Sequence, residues 1–295
     1  MDRVVLREDG EQLPISLEKY EANSNSFQKK FLAFIGAHEF YSPELSELLA
    51  TAFYVFTLTT TIISILDSNV VEPKLLVPLA IFLILFLFLM MTVPLSGGHM
   101  SPILTFIAAL RGLITLARAA IYVLAQCAGS VIGFFILQNV MDRQTVQNHS
   151  LGGCTIDGNG ATTHPLSPEI ALILEFVCTY VFLFLGVTVA FDKKRCKELG
   201  MAMVCAVVAA SLALAVFVSI TVTGRAGYGG VSLNPAKCLG PALLQGDRLW
   251  DGHWVFWVGP FFACIAYYGY SMQLPKESSD LEEKQEYDIV RLARA

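Results

Sequence analysis

Charge is what this chain has too little of. Of its 295 residues only 15% are Asp, Glu, Lys or Arg, where a soluble domain carries about 25%. With 55% hydrophobic residues and a mean hydropathy of +0.58, the shortage excludes a water-soluble globule and indicates an integral membrane protein. A basic surplus is missing too. The net charge of −5 comes largely from terminal Asp and Glu, so no nucleic-acid partner is expected. The seven cysteines form no CxxC pair and lie mostly in apolar runs, which points away from zinc and from a disulfide scaffold. The opening MDRVVLREDGEQLP is too polar for a cleavable signal peptide. Neither a cofactor, a metal nor an enzymatic activity is expected.

Long apolar runs are what it has. Six of them approach the ~20 residues that a bilayer requires: 45–66, 75–95, 113–138, 170–191, 199–223 and 253–272. The expected organisation is a cytosolic tail over 1–43, a membrane domain over 44–273 with halves at about 44–140 and 168–273, and a cytosolic tail over 274–295. Phe27 to Phe40 reads as an interfacial stretch, and Ser278 and Ser279 as exposed serines open to phosphorylation. Orientation follows from basic residues in short loops. Lys193, Lys194, Arg195 and Lys197 crowd the loop 192–198, and Arg111 and Arg118 lie on the same side by helix count. The opposite loop, 139–168, is poor in basic residues and holds Asn148-His149-Ser150, a glycosylation acceptor pattern. Both termini are therefore expected in the cytosol.

Between the runs stand two related motifs. Gly97-Gly98-His99-Met100-Ser101-Pro102-Ile103 is echoed by Gly229-Gly230-Val231-Ser232-Leu233-Asn234-Pro235-Ala236-Lys237-Cys238. Ser and Asn are favoured N-caps, and Pro suits the first helical position. Each motif predicts a short helix that starts at membrane depth, which is tolerated only where it is buried in protein or lines a cavity. The chain also repeats itself around them. Glu47-x-x-x-Thr51 opens the first run and Glu175-x-x-x-Thr179 the fourth, each followed by a Gly-Gly and a capped Pro segment. Three spans per half make the repeat inverted, and its two half-helices would meet with their positive ends turned inward.

These residues resemble the major intrinsic protein (aquaporin) family over about 45–272. Tyr122-x-x-x-Gln126-x-x-Gly129, Gly240-Pro241-Ala242 and the stretch from His253 to Pro260 add to the resemblance. Ser-Pro-Ile in the first motif, and Cys after the basic residue of the second, are similar to the plant X intrinsic protein subfamily. The resemblance implies an all-α membrane fold of six transmembrane helices and two re-entrant half-helices, a homotetramer with one pore per subunit, and passive conduction of water or small uncharged solutes. Pore diameter, lining donors and electrostatic barriers set selectivity in such channels.

Carried onto this chain, the resemblance puts the pore midplane at Ser101, Pro102, Ile103, Asn234, Pro235 and Ala236. Asn234 can cap with its oxygen while its NH₂ donates to a passing solute. Ser101 must do both through one hydroxyl. A plainer reading leaves Ser101 only a cap and Ile103 only packing. The outer filter falls, by counting from the motifs, on Ile81, Val222 (or Thr221 or Thr223), Val231 and Lys237. Its aliphatic lining offers water few hydrogen bonds and favours glycerol, urea, boric acid or hydrogen peroxide. Lys237 replaces the usual Arg with a mobile point charge, or snorkels to the interface instead. Glu47, Glu175, His99, Gly97 and Gly98 are expected to support the re-entrant loops, although buried acids also fit a proton-coupled transporter. Gly129 and Gly133 permit close helix contact. Cys238 reads either as a redox target or as a small hydrophobe, and Cys154 as a candidate bridge between subunits.

Overall fold

A computed structural model describes residues 42–68, 73–156, 166–222 and 230–273; for 73, 74, 221 and 222 it describes the backbone alone. The tails, Phe27 to Phe40, Ser278, Ser279 and Thr223 lie outside the described residues. The chain divides into two units, 1–45 and 46–295, and the second carries the helical body.

Helices account for nearly all of it, and no strand occurs among the described residues. Four helices carry the first half: α1 (Pro43–Asp67), α2 (Pro73–Ser96), the short α3 (Pro102–Leu110) and α4 (Leu116–Val140). A small helix α5 (Arg143–Asn148) and a 3₁₀ turn (Ser150–Gly152) lead on. The second half begins with α6 (Pro168–Phe182), which passes through a π-turn (Leu183–Val187) into Thr188–Ala190. Then come α7 (Lys193–Val222), the short α8 (Pro235–Gln245) and α9 (Val255–Ser271). Five of these helices are long and apolar enough to cross a membrane. Helix α9, at 17 residues, meets the lower limit of a span.

Some polar groups inside the spans find partners along their own helix. The hydroxyls of Thr60 and Thr61 donate back to the carbonyls of Phe56 and Thr57 at 2.7 and 2.8 Å. This satisfies them without water. Outward positions remain apolar, as at Leu87, Met91, Leu124 and Phe262, which suits contact with lipid chains. Two segments read as loops are in fact helical. Asp142 caps α5 by accepting from the amides of Gln144 and Thr145. Asp192 accepts from the amide of Arg195 at 3.0 Å and starts helix over the basic stretch 192–198. Gly200, at φ 73°, breaks α7 between that turn and the span proper.

The halves interlock. α2 packs on α7 and α6 on α9; the first half-helix α3 lies against α9 and the second, α8, against α4. Each half-helix is thus clasped by a long helix of the other half. Backbone closeness is extreme where α4 meets α1. A Cβ on Gly129 would stand 2.3 Å from the Leu48 carbonyl oxygen, and one on Gly133 2.3 Å from that of Ala52. Only glycine fits there.

Candidate pore

The two short helices begin as their cap residues dictate. Ser101, in extended conformation, accepts from the Ile103 amide at 3.3 Å. Asn234, also extended, accepts through Oδ1 from the Lys237 amide at 3.3 Å. Pro102 and Pro235 occupy the first helical positions, where no donor is lost. Just before each cap stands a bulky residue in the left-handed region, Met100 at φ 47° and Leu233 at φ 56°. Such a conformation costs about 1–3 kcal/mol and persists only where its surroundings over-determine it.

The surroundings do so across the interface between halves. The Asn234 amide Nδ2 donates to the Met100 carbonyl at 2.9 Å, and the Ser101 hydroxyl lies 3.5 Å from the Leu233 carbonyl. The left-handed turns aim these carbonyls at the opposing caps, so the helix starts meet nose to nose. The exchange is unequal. An amide has two N–H groups and a hydroxyl one O–H. Asn234 therefore keeps a donor for the cavity it lines, whereas Ser101 commits its only hydrogen to Leu233.

Two buried carboxylates hold the loops behind the noses. Glu47 accepts from the Ser96 hydroxyl (2.5 Å), the His99 and Met100 amides (3.0 and 2.7 Å) and Gln126 Nε2 (2.8 Å). Gln126 also reaches Thr105, whose hydroxyl meets His99 Nδ1 at 3.1 Å. Glu175 accepts from the amides of Ser232 (2.7 Å) and Leu233 (3.3 Å). The second loop has a further tie, from the Val231 amide to Ser219 Oγ at 3.0 Å. Gly97 and Gly98 take positive φ values, 94° and 66°. At Gly98 any side chain would press on Thr92 and Val93.

A cavity of about 150 Å³ runs from residues 152–155 down to Ser101 and Asn234. Ile81, Val231 and Lys237 line it together with Gly152 and Cys154. On the other side of the noses lies a second cavity, of about 290 Å³, reaching Phe191 and Met201. The two share Leu89, His99, Leu104 and Val208. Ile103 and Ala236 are fully buried and Pro102 and Pro235 are buried beside them. The side chains of Thr221 and Val222 lie outside the described residues, as does Thr223, so the fourth filter position has no structural account.

Lys237 is partly buried beside the cavity. Its Nζ turns into the cavity wall, 3.4 Å from the Gly152 carbonyl and 3.9 Å from Cys154 Sγ. The cysteines require a correction. Cys154 and Cys238 form an intrachain disulfide, with Cα atoms 5.1 Å apart across 84 residues of sequence. Cys154 therefore has no thiol for a bridge between subunits, and Cys238 is neither a free redox target nor a plain hydrophobe. A signal for the pair was available. Of the seven cysteines, only Cys154, Cys196 and Cys238 fall outside the six apolar runs, and Cys196 belongs to the opposite loop set. Sequence reasoning also missed the Met100, Leu233 and Gly152 carbonyls, because a backbone acceptor leaves no mark in side-chain identity. Asn148 is exposed at the end of α5, while the Ser150 hydroxyl is buried and receives Arg248.

Fold and site together define a class: a multi-pass membrane protein of inverted halves whose broken helices abut beside a cavity. Comparison with known proteins gives the family. The model for "Major intrinsic protein" matches residues 35–268, and the chain belongs to that family. Aquaporin-4 of Bos taurus is 32% identical over 172 residues, covering 58% of this chain but only 47% of that protein. The match thus spans about half of that relative's length. Aquaporin PIP2-7 of Musa acuminata is 30% identical over 237 residues, covering 77% of this chain and 78% of its own. Among solved structures, the aquaglyceroporin of Plasmodium falciparum superposes with a TM-score of 0.66 at 18% identity, covering 82% of this chain and 99% of that one. At that identity the likeness speaks for the fold.

Proposed function

We propose that the protein is a passive channel for small uncharged solutes such as glycerol, urea, boric acid and hydrogen peroxide, with low water permeability. The observation that carries this reading is the mutual capping of the two half-helix starts, Asn234 on Met100 and Ser101 on Leu233, beside a cavity whose upper wall includes Ile81 and Val231. The positive ends of both half-helices face the midplane and oppose cations and protons. Lys237 adds a second positive barrier above them. Water entering an aliphatic constriction gives up hydrogen bonds that Ile81 and Val231 do not return. A solute with a carbon edge gives up fewer.

The plant subfamily of X intrinsic proteins fits the Ser-Pro-Ile motif and the Lys237-Cys238 pair. A plasma-membrane location, cytosolic termini and a homotetramer belong to the same proposal. Asn148 stays a candidate glycosylation site, supported by its exposure. A second reading, an ordinary water channel, is favoured by the donor left on Asn234 and by relatives named aquaporins. Proton-coupled transport through Glu47 or Glu175 is disfavoured, since both carboxylate oxygens of each acid already accept hydrogen bonds.

Stopped-flow light scattering on proteoliposomes tests the choice. Under an impermeant osmolyte, shrinkage is expected to stay near that of empty liposomes, while glycerol or urea gradients relax several times faster than in the control. Rapid shrinkage with slow solute entry overturns the preference in favour of water.

A further inference from the structure

Lys237 is gripped in a closed ring. From its Cα the chain runs to Cys238, across the disulfide to Cys154, back through Gly153 to the Gly152 carbonyl, and home through the hydrogen bond to Nζ. Among the described residues the two polar contacts of Nζ lie on residues 152–154, and no carboxylate stands within 4.0 Å of it. An ammonium has three N–H donors. With one on Gly152, others remain for the cavity that Lys237 lines.

The segment 152–155 lines that cavity throughout, together with Ile81 and Val231. Gly152, at φ 68°, sits so close to α1 that a Cβ would meet Thr59 at 2.3 Å. Two consecutive glycines turn the chain here, their amides donating to the His149 and Ser150 carbonyls at 2.8 and 2.9 Å. On either side it is pinned. Arg248 binds the Ser150 hydroxyl and Leu151 is fully buried upstream, while Leu166 donates to the Ile156 carbonyl downstream at 2.9 Å. Between those anchors the crosslink to Cys238 adds a covalent tie two residues from the Gly152 carbonyl.

We propose that the Cys154–Cys238 crosslink is the positioning element that sets Lys237 and, through it, the order of solutes. This rests on the channel reading above. Opening the crosslink lets the double-glycine stretch relax and releases Nζ from Gly152. The aperture loosens, and the bulkier glycerol gains relative to urea. Chemically, one thiolate of a dithiol attacks Cys154 Sγ, the Sγ–Sγ bond breaks, and Cys238 leaves as a thiolate that takes a proton. The second thiol of the reductant then displaces Cys154, so two electrons and two protons pass from the dithiol to the protein.

The test compares urea and glycerol uptake by the full chain in proteoliposomes, oxidised and after dithiothreitol, with free thiols counted by mass spectrometry. The glycerol-to-urea permeability ratio is expected to rise about threefold on reduction, the scale set by one hydrogen bond in a constriction. Cys154→Ser combined with Cys238→Ser should match the reduced protein. Should that variant fail to fold, reduction of protein already in liposomes carries the test alone. In Lys237→Met the ratio should no longer respond to the reductant, a result that mere loosening of the loop does not produce. An unchanged ratio with both thiols counted free overturns the proposal, as does an equal response in Lys237→Met. No flux of either solute in any state instead brings down the channel reading itself.

Discussion

The two re-entrant loops do the same task with different means. The first, ending at Ser101, hangs on Glu47, which takes four donors from three elements, one of them Gln126 of α4. The second, ending at Asn234, gives Glu175 two backbone amides among the described residues, and draws further support from Ser219 and from the disulfide beside Lys237. One loop is held by a buried polar network, the other by scattered ties and a covalent bond. A buried polar network tolerates little change, since its members depend on one another. Scattered ties leave single positions free to vary. Lys237 and its crosslink sit on the second loop.

The contrast breaks or sharpens under substitution. Glu47→Leu strands four donors and is expected to cost about 4–6 kcal/mol, Glu175→Leu about 2–4 kcal/mol. Thermal unfolding of purified protein in detergent ranks them, and equal losses would remove the distinction. Next in size, Gly129→Ala drives a methyl against the Leu48 carbonyl, whereas Gly259→Ala meets the Glu175 Cβ at 2.9 Å. Losses of about 3 and about 1 kcal/mol are expected in the same melts.

Ser101→Asn makes the two noses alike and restores a donor at the midplane. Water permeability by stopped flow should rise about fivefold, the equivalent of one hydrogen bond, and Asn234→Ser should lower it. No change in either would deny these residues a place on the solute's path. Ser219→Ala is the mildest. It removes the partner of the Val231 amide at a cost of about 1 kcal/mol in the melt, while the ranking of urea and glycerol uptake stays as in the parent protein.

Much of this architecture was legible from the residues alone. Asn234-Pro235 and Ser101-Pro102 announced helix starts because capping is a local matter between one side chain and the next three amides. Glu47 and Glu175 stood out because an unpaired acid is too costly at membrane depth. Less legible were the helix over 192–198, hidden by its charge, and the π-turn at Leu183–Val187 in α6. Cys154 and Cys238 stood out as candidates for redox or disulfide chemistry, but not as each other's partner, since 84 residues of separation carry no distance information.

Composition and spacing by themselves determined a membrane protein of inverted halves with two capped half-helices, because hydrophobicity, caps and periodicity act over a few neighbours. Which carbonyl each cap would meet, what would hold the Lys237 ammonium and which cysteines would join were decided only when the halves closed on one another. Those are contacts between residues remote in the chain, and nothing short of the folded packing brings their atoms within bonding reach.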